Sequence, residues 1–328
     1  MADPAALSPA ASLRALALSA RRVLLTGPID PDGDSIGAAL ALARGLRALG
    51  AAAVDVAGEV AFRYAWMPGV GDMIPDAQIR PDYDLVVVLD GDRRRLEAPV
   101  AAAFAAARWR GIVDHHASTE PEGYDVVLLD PSAASTCEMV CALLDGWGLP
   151  LDADLAALLY TGLIFDTGGF RHSNTRPSTL RLAARLVETG IDHNAIFVRV
   201  LVERQAAGLH LLGEVLGRAV ILDEGRLSLS TVTRADMERF GATVGDIEGI
   251  VDALLYVRGV EVAALIVEKG PDRCKLSLRS RARVDVARLA KSLASAGGGH
   301  PRAAGAQLPW PLPEATARVT AAVQAALD

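Results

Sequence analysis

Apolar and polar positions along the chain change pattern midway. In the first half, short unbroken apolar runs alternate with Ala/Leu-rich stretches of helical period. Strands are predicted over 23–26, 53–57, 85–89, 111–113 and 126–129, with the run Leu85-Val86-Val87-Val88-Leu89 the clearest. Helices are predicted over 35–49, 96–107, 135–144, 154–165 and 178–189, with Gly50 and Gly190 as stops. Continuously apolar strands separated by helices imply a mostly parallel sheet covered on both faces.

A connecting helix is expected over 194–205, and the pattern then changes. Strands are predicted over 218–222, 226–232, 259–267 and 273–278, the last two as a hairpin about Lys269-Gly270-Pro271-Asp272. Helices over 234–240, 246–254, 286–293 and 314–327 interleave with them. The fold class is therefore α/β. A larger N-terminal domain with a mostly parallel sheet (1–192) leads through a linker helix (193–209) to a smaller α/β domain with a mixed sheet (210–328). A length of 328 residues agrees with two domains at about 150 residues each.

Composition narrows the function classes. Hydrophobic residues make up 51% and charged residues 22%, which excludes disorder as the main state. A net charge of −7 argues against a broad grip on a long duplex but leaves room for a local basic pocket. Aromatics at 5% argue against a long stacking track, although Phe170 or Tyr256 is available to stack one base. Cys137, Cys141 and Cys274 form no disulfide framework and read as packing residues. No signal-peptide pattern opens the chain, and its Ala-rich runs are too short and too interrupted to span a bilayer. A cytoplasmic protein with no membrane partner is expected.

Four acidic features lie at the ends of predicted elements, where ligand sites of open α/β sheets gather. They are Asp30-Pro31-Asp32-Gly33-Asp34-Ser35, Asp90-Gly91-Asp92, Asp114-His115-His116 and Asp166-Thr167-Gly168-Gly169. A helix start with Asp34 or Ser35 as N-cap accounts for one acid of the first group, not three. Asp166 ends an apolar helix, where an anion opposes the macrodipole and suggests a nearby cation. Many carboxylates with a minority of imidazole suit Mn²⁺ or Mg²⁺. Two such ions about 4 Å apart are a standard device for phosphoester hydrolysis. In the second half, Gly297-Gly298-Gly299-His300 offers backbone N–H groups and an imidazole to an anion, and Arg279 suits phosphate. No G-x-S-x-G, P-loop or strand-borne G-x-G-x-x-G is present.

Asp32-Gly33-Asp34, Asp90, Asp114-His115-His116, Asp166-Thr167-Gly168 and Gly297-Gly298-Gly299-His300, in this order, resemble the DHH phosphoesterase family. The likeness is to its short two-domain branch of nanoRNase (oligoribonuclease) and 3′-phosphoadenosine-5′-phosphate phosphatase type. The resemblance implies a two-manganese site, with Mg²⁺ or Co²⁺ as substitutes. Asp32 would serve one metal, Asp34, His115 and Asp166 the other, and Asp90 both. Asp114 and His116 would be catalytic neighbours. Arg279, Ser280, Gly298, Gly299 and His300, with Arg171, would hold the substrate phosphate in an interdomain cleft. Short RNA or DNA oligonucleotides or nucleotides are the implied partners, and an apolar face of the larger domain is compatible with a homodimer.

One position departs from the pattern. The family has a histidine three residues before Pro31, and this chain has Pro28 there. Asp30, Asp92 or water are the candidate replacements. The implied activity is hydrolysis of di- to tetranucleotides or adenosine 3′,5′-bisphosphate by a metal-bound hydroxide. The alternatives are a cyclic di-AMP or pApA phosphodiesterase, a nucleotide-binding protein with impaired metal chemistry, and a pyrophosphatase.

Overall fold

The computed structural model describes residues 7–295 and 297–328. The chain divides into two compact units, Met1–Glu203 and Arg204–Asp328.

The first unit runs α1 (Pro9–Ser19), β1 (Val23–Thr26), α2 (Gly33–Ala48), β2 (Val54–Ala57), β3 (Leu85–Leu89), α3 (Ala98–Ala106), β4 (Trp109–Asp114), β5 (Val126–Leu129), α4 (Thr136–Gly146), α5 (Ala153–Asp166), α6 (Pro177–Glu188) and α7 (His193–Phe197). Its strands form a parallel sheet in the order β2-β1-β3-β4-β5. All residues of β1 and β3 are buried, because successive side chains point to opposite faces and both faces are covered. Val23, Leu25, Leu85 and Val87 pack with Ile36, Leu42 and Leu158 on one side. Leu24, Val86 and Val88 pack with Val100 and Phe104 on the other.

The register brings the acidic loops together. Thr26 pairs with Val88 and Leu89 with Val113, so the chain leaves β1, β3 and β4 together at the carboxyl end of the parallel strands. Helices α2 and α5 pack closely against each other on one face of the sheet. At Gly37 a Cβ would lie 2.5 Å from the Leu158 carbonyl oxygen, so only glycine fits without a shift.

The second unit runs α8 (Ala206–Gly217), β6 (Val220–Leu222), β7 (Leu227–Val232), α9 (Arg234–Phe240), α10 (Ile250–Leu254), β8 (Val262–Gly270), β9 (Arg273–Ser280), α11 (Val286–Leu293), β10 (Gly298–His300), β11 (Ala303–Leu308) and α12 (Leu312–Leu327). Its strands form a mixed sheet in the order β10-β11-β9-β8-β7-β6, in which only β7 and β8 pair in parallel. The sheet is covered by Val286, Leu289 and Val319 on one face and by Leu211, Val251 and Leu254 on the other.

Four local features differ from the sequence pattern. Helix α1, started by the Ser8 cap and Pro9, lies outside the expected elements, as does α8. The connecting helix expected over 194–205 is α7 followed by a π turn, Val198–Val202. The helix expected over 246–254 breaks at Gly249, whose φ of +76° no helix accommodates. Strands β10 and β11 lie outside the expected elements, and Gly298 and Gly299 belong to β10, paired with Gly305 and Ala304. Among the described residues, no helix is long and apolar enough to cross a membrane.

Candidate metal centre

The loop after β1 turns into α2 through Asp32. Asp32 is the N-cap, with Oδ1 accepting from Asp34 N at 2.9 Å and Ser35 N at 3.1 Å. This corrects the expectation that Asp34 or Ser35 caps the helix. Asp34 lies in the first turn, fully buried. Its two oxygens accept from the start of α4: Oδ2 from Thr136 N at 2.6 Å and Oδ1 from Cys137 N at 2.9 Å. Unpaired N–H groups at a helix start hold a carboxylate well. Gly162 on α5 makes room for it, since a Cβ there would collide with Asp34 Oδ1 and Cys137 Sγ.

Asp90 follows β3 with a φ of +60°, a left-handed conformation that aspartate tolerates better than most residues. Ser35 Oγ donates to its Oδ2 at 2.6 Å and Thr136 Oγ1 to its Oδ1 at 3.3 Å. Asp166 is the last residue of α5. Its carbonyl accepts from His172 Nδ1 at 2.9 Å and Asn174 Nδ2 at 3.2 Å.

His115 follows β4 and is 1% exposed. Its Nδ1 lies 3.3 Å from the Ala133 carbonyl, which fixes the ring. Its Nε2 lies 2.9 Å from Asp166 Oδ2, 3.5 Å from Asp90 Oδ1 and 3.9 Å from Asp34 Oδ2. One donor atom from each of Asp34, Asp90, His115 and Asp166 falls within 4.8 Å of the others. Next to this group, His116 Nδ1 donates to Asp114 Oδ1 at 2.7 Å, and the Thr119 hydroxyl donates to Asp114 Oδ2.

The electrostatics reflect crowding of like charges. Burial, then the charge of Asp90 and that of Asp166, pushes both Asp32 and Asp34 well above the usual carboxylate range. Burial also opposes ionisation of Asp90, but the His115 hydrogen bond and the two imidazoles win and hold it below that range. Burial opposes the charged form of His115, yet Asp166 and the other acids raise it well above an ordinary imidazole.

The donor set fits a divalent cation. Asp166 Oδ2 is buried and, among the described residues, accepts no well-aligned hydrogen bond, although His115 Nε2 is close. A buried imidazole nitrogen and three carboxylates that converge on one point are arranged as ligands of a shared ion, which would take the place of the imidazole proton. Three carboxylates and one imidazole match hard divalent ions rather than a thiolate site.

The other candidate residues divide between the units. Asp32 is half-buried and faces the cluster electrostatically. Arg171 Nε donates to the Gly168 carbonyl at 2.7 Å in the first unit. In the second, Arg279 Nε donates to Asp252 Oδ1 at 2.9 Å and Ser280 Oγ to Glu261 Oε1 at 3.2 Å. Gly298, Gly299 and His300 line the edge strand β10. The residues that sequence reasoning missed support the cluster and its neighbour Asp114: Thr136, Cys137, Gly162, His172 and Asn174 hold or make room for the acids of the cluster, and Thr119 holds Asp114. Ser135 signals a helix start at 136, but nothing local shows that this start faces Asp34.

Comparison with known proteins agrees with this architecture. The family model "DHH family, N-terminal domain" matches residues 22–163, and the "DHHA1 domain" model matches 229–328. The bifunctional oligoribonuclease and PAP phosphatase NrnA of Thermus thermophilus is 34% identical over 281 residues, 85% of this chain and 82% of that one. The Bacillus subtilis protein of the same name is 31% identical over 199 residues, 60% of this chain and 61% of its own length. The crystal structure of an exopolyphosphatase-related protein from Bacteroides fragilis is 25% identical. It superposes with a TM-score of 0.84 over 96% of this chain and 95% of that one. Fold, site and relatives together define a metal-dependent phosphodiesterase or phosphatase. The chain belongs to the DHH family, with an N-terminal DHH domain and a C-terminal DHHA1 domain.

Proposed function

We propose that this enzyme hydrolyses short 5′-phosphorylated oligonucleotides, di- to tetranucleotides, and adenosine 3′,5′-bisphosphate, with Mn²⁺ as the working ion. The observation that carries the reading is the buried Asp34, Asp90, His115 and Asp166 cluster in a chain so similar to an oligoribonuclease and PAP phosphatase. A divalent ion held there supplies charge neutralisation for phosphoryl oxygens and acidifies water. Asp34, Asp90, His115 and Asp166 are its ligands, with Asp32 beside them. Mg²⁺ and Co²⁺ suit the same oxygen-rich set.

The chain's own groups then have distinct tasks. Asp114 fixes His116 through Nδ1, so His116 exchanges a proton through Nε2 near the reacting phosphate. Arg279, with its planar fork, and Ser280 hold the terminal phosphate. Gly298 and Gly299 offer backbone N–H groups from an edge strand, and His300 adds a ring nitrogen. We assign Arg171 to the same substrate phosphate. The net charge of −7 favours short substrates over long duplexes.

The test is a substrate panel with metal-stripped protein and added Mn²⁺. It contains pApA, pGpG, a five-nucleotide RNA, adenosine 3′,5′-bisphosphate, cyclic di-AMP and pyrophosphate. The reading expects mononucleotide or phosphate release from the short linear nucleotides. Turnover confined to cyclic di-AMP or pyrophosphate, or none at all, contradicts it.

A further inference from the structure

The cluster is richer in donors on one side than on the other. Asp34, Asp90, His115 and Asp166 bring four donor atoms within 4.8 Å of one another. Asp90, Asp114 and His116 also bring donor atoms within 4.8 Å of one another, but Asp114 Oδ1 and His116 Nδ1 are spent on each other at 2.7 Å and Asp114 Oδ2 on the Thr119 hydroxyl, so a second ion is left with Asp32 and a shared Asp90. Asp32 is already engaged, since its Oδ1 accepts two backbone N–H groups as the cap of α2.

The resemblance implies a histidine donor three residues before Pro31, and this chain has Pro28 at that position. It is buried, and its ring abuts the loop that carries Asp90: a Cβ on Gly91 would sit 3.2 Å from the Pro28 Cβ and Cγ. A proline side chain has no lone pair to give. The nearby acids do not replace it. Asp92 is bound by the Arg94 fork, with Arg94 Nη2 donating to Oδ2 at 2.6 Å and Nε to Oδ1 at 2.9 Å. Asp30 is exposed, on a residue with a φ of +55°.

We propose that this chain holds one divalent cation tightly, on Asp34, Asp90, His115 and Asp166, and that Pro28 leaves the neighbouring position on Asp32 and Asp90 weak. Loss of an outer partner alone costs about 10- to 100-fold in metal affinity, so a second ion is expected to bind at least that much more weakly than it would with a histidine at position 28. The second ion then joins only at high free metal or with a substrate phosphate that contributes oxygens of its own. This inference rests on the metal centre proposed above, but its readout is metal content rather than turnover.

The experiment uses the full chain, stripped of metal, loaded with excess Mn²⁺ and desalted. Bound manganese is counted by elemental analysis, and its coupling is read by electron paramagnetic resonance. One ion per chain with the signal of an isolated Mn²⁺ is expected. Asp166→Asn loses that ion and Asp32→Asn keeps it. Pro28→His gains a second ion and a spin-coupled signal. Should Pro28→His fail to fold, the wild-type count and the two aspartate variants still decide. Two retained ions in the wild type overturn the inference and leave the metal-dependent reading standing. So does one ion that survives Asp166→Asn and is lost in Asp32→Asn. No retained ion overturns the metal centre itself.

Discussion

The backbone N–H of Thr136 donates to Asp34 Oδ2 at 2.6 Å, across 102 positions of sequence. Cys137 N completes the grip on Oδ1 at 2.9 Å. The start of α4 is thus a clamp on a carboxylate of the candidate metal cluster. Asp34 is held by backbone, and its geometry depends on where a helix begins.

That clamp separates helix from ligand by one substitution. Proline is well tolerated at the first position of a helix, where Thr136 sits, but it has no N–H. Thr136→Pro is expected to leave the far-ultraviolet circular dichroism near wild type and to lower Mn²⁺ affinity about 10- to 100-fold by calorimetry. Thr136→Val, which keeps the N–H, is expected to retain most of the affinity. Equal losses in the two variants would place the effect on the hydroxyl and its bond to Asp90 instead.

Gly162 tests the same carboxylate from the other side. A methyl group there meets Asp34 Oδ1 and Cys137 Sγ in a fully buried site. Gly162→Ala is expected to destabilise the fold by about 1–3 kcal/mol through overpacking. It also displaces Asp34, so bound manganese falls with it. Chemical denaturation and metal analysis read the two effects. A variant of wild-type stability and metal content would show that α2 and α5 yield more than the packing implies.

In the second unit, Glu261 Oε1 accepts from Ala282 N at 2.8 Å, from Arg283 N, and from Val284 N at 3.3 Å. Burial opposes its ionisation, but these N–H groups outweigh it and hold the carboxyl below its usual range. A depressed carboxyl contributes stability above its ordinary pKa and loses it as pH falls through the folded value. Glu261→Gln is therefore expected to cost about 1 kcal/mol at neutral pH. The difference from wild type should shrink as pH drops below about 4. Melting curves across that range check the prediction, and a gap that stays constant would remove the charge from the explanation.

Arg279 is paired with Asp252 and assigned to the substrate phosphate. Arg279→Ala is expected to raise KM for a 5′-phosphorylated dinucleotide about 10- to 100-fold, as loss of a charged hydrogen bond does, with a smaller change in kcat. Steady-state kinetics with the 5′-phosphate present and removed is the check, because the variant should lose most of its preference between the two.

The strands and most helices were legible because their apolar periods are strong. The run 85–89 is buried throughout, and the helices expected over 234–240 and 286–293 match the observed bounds. Asp32, Asp34, Asp90, His115 and Asp166 stood out as acids and imidazole at element ends. Their supports did not, because a backbone N–H at Thr136 or a missing Cβ at Gly162 has no signature until tertiary packing brings α4 and α5 to α2. Helix α8 was not legible: its first residues fall in the expected linker and the rest in a part of the second domain for which no element is predicted. The strand pairing of Gly298 and Gly299 was hidden because β10 and its partner β11 are built of small residues of weak β-propensity.

The most direct measurement is hydrolysis of pApA by metal-stripped wild-type protein and by Asp90→Asn, with and without added Mn²⁺. The account predicts release of mononucleotide only when Mn²⁺ and Asp90 are both present. Asp90→Asn should also bind less manganese while remaining folded. Hydrolysis that persists without metal, or that survives in Asp90→Asn at the wild-type rate, would contradict a metal centre built on Asp34, Asp90, His115 and Asp166.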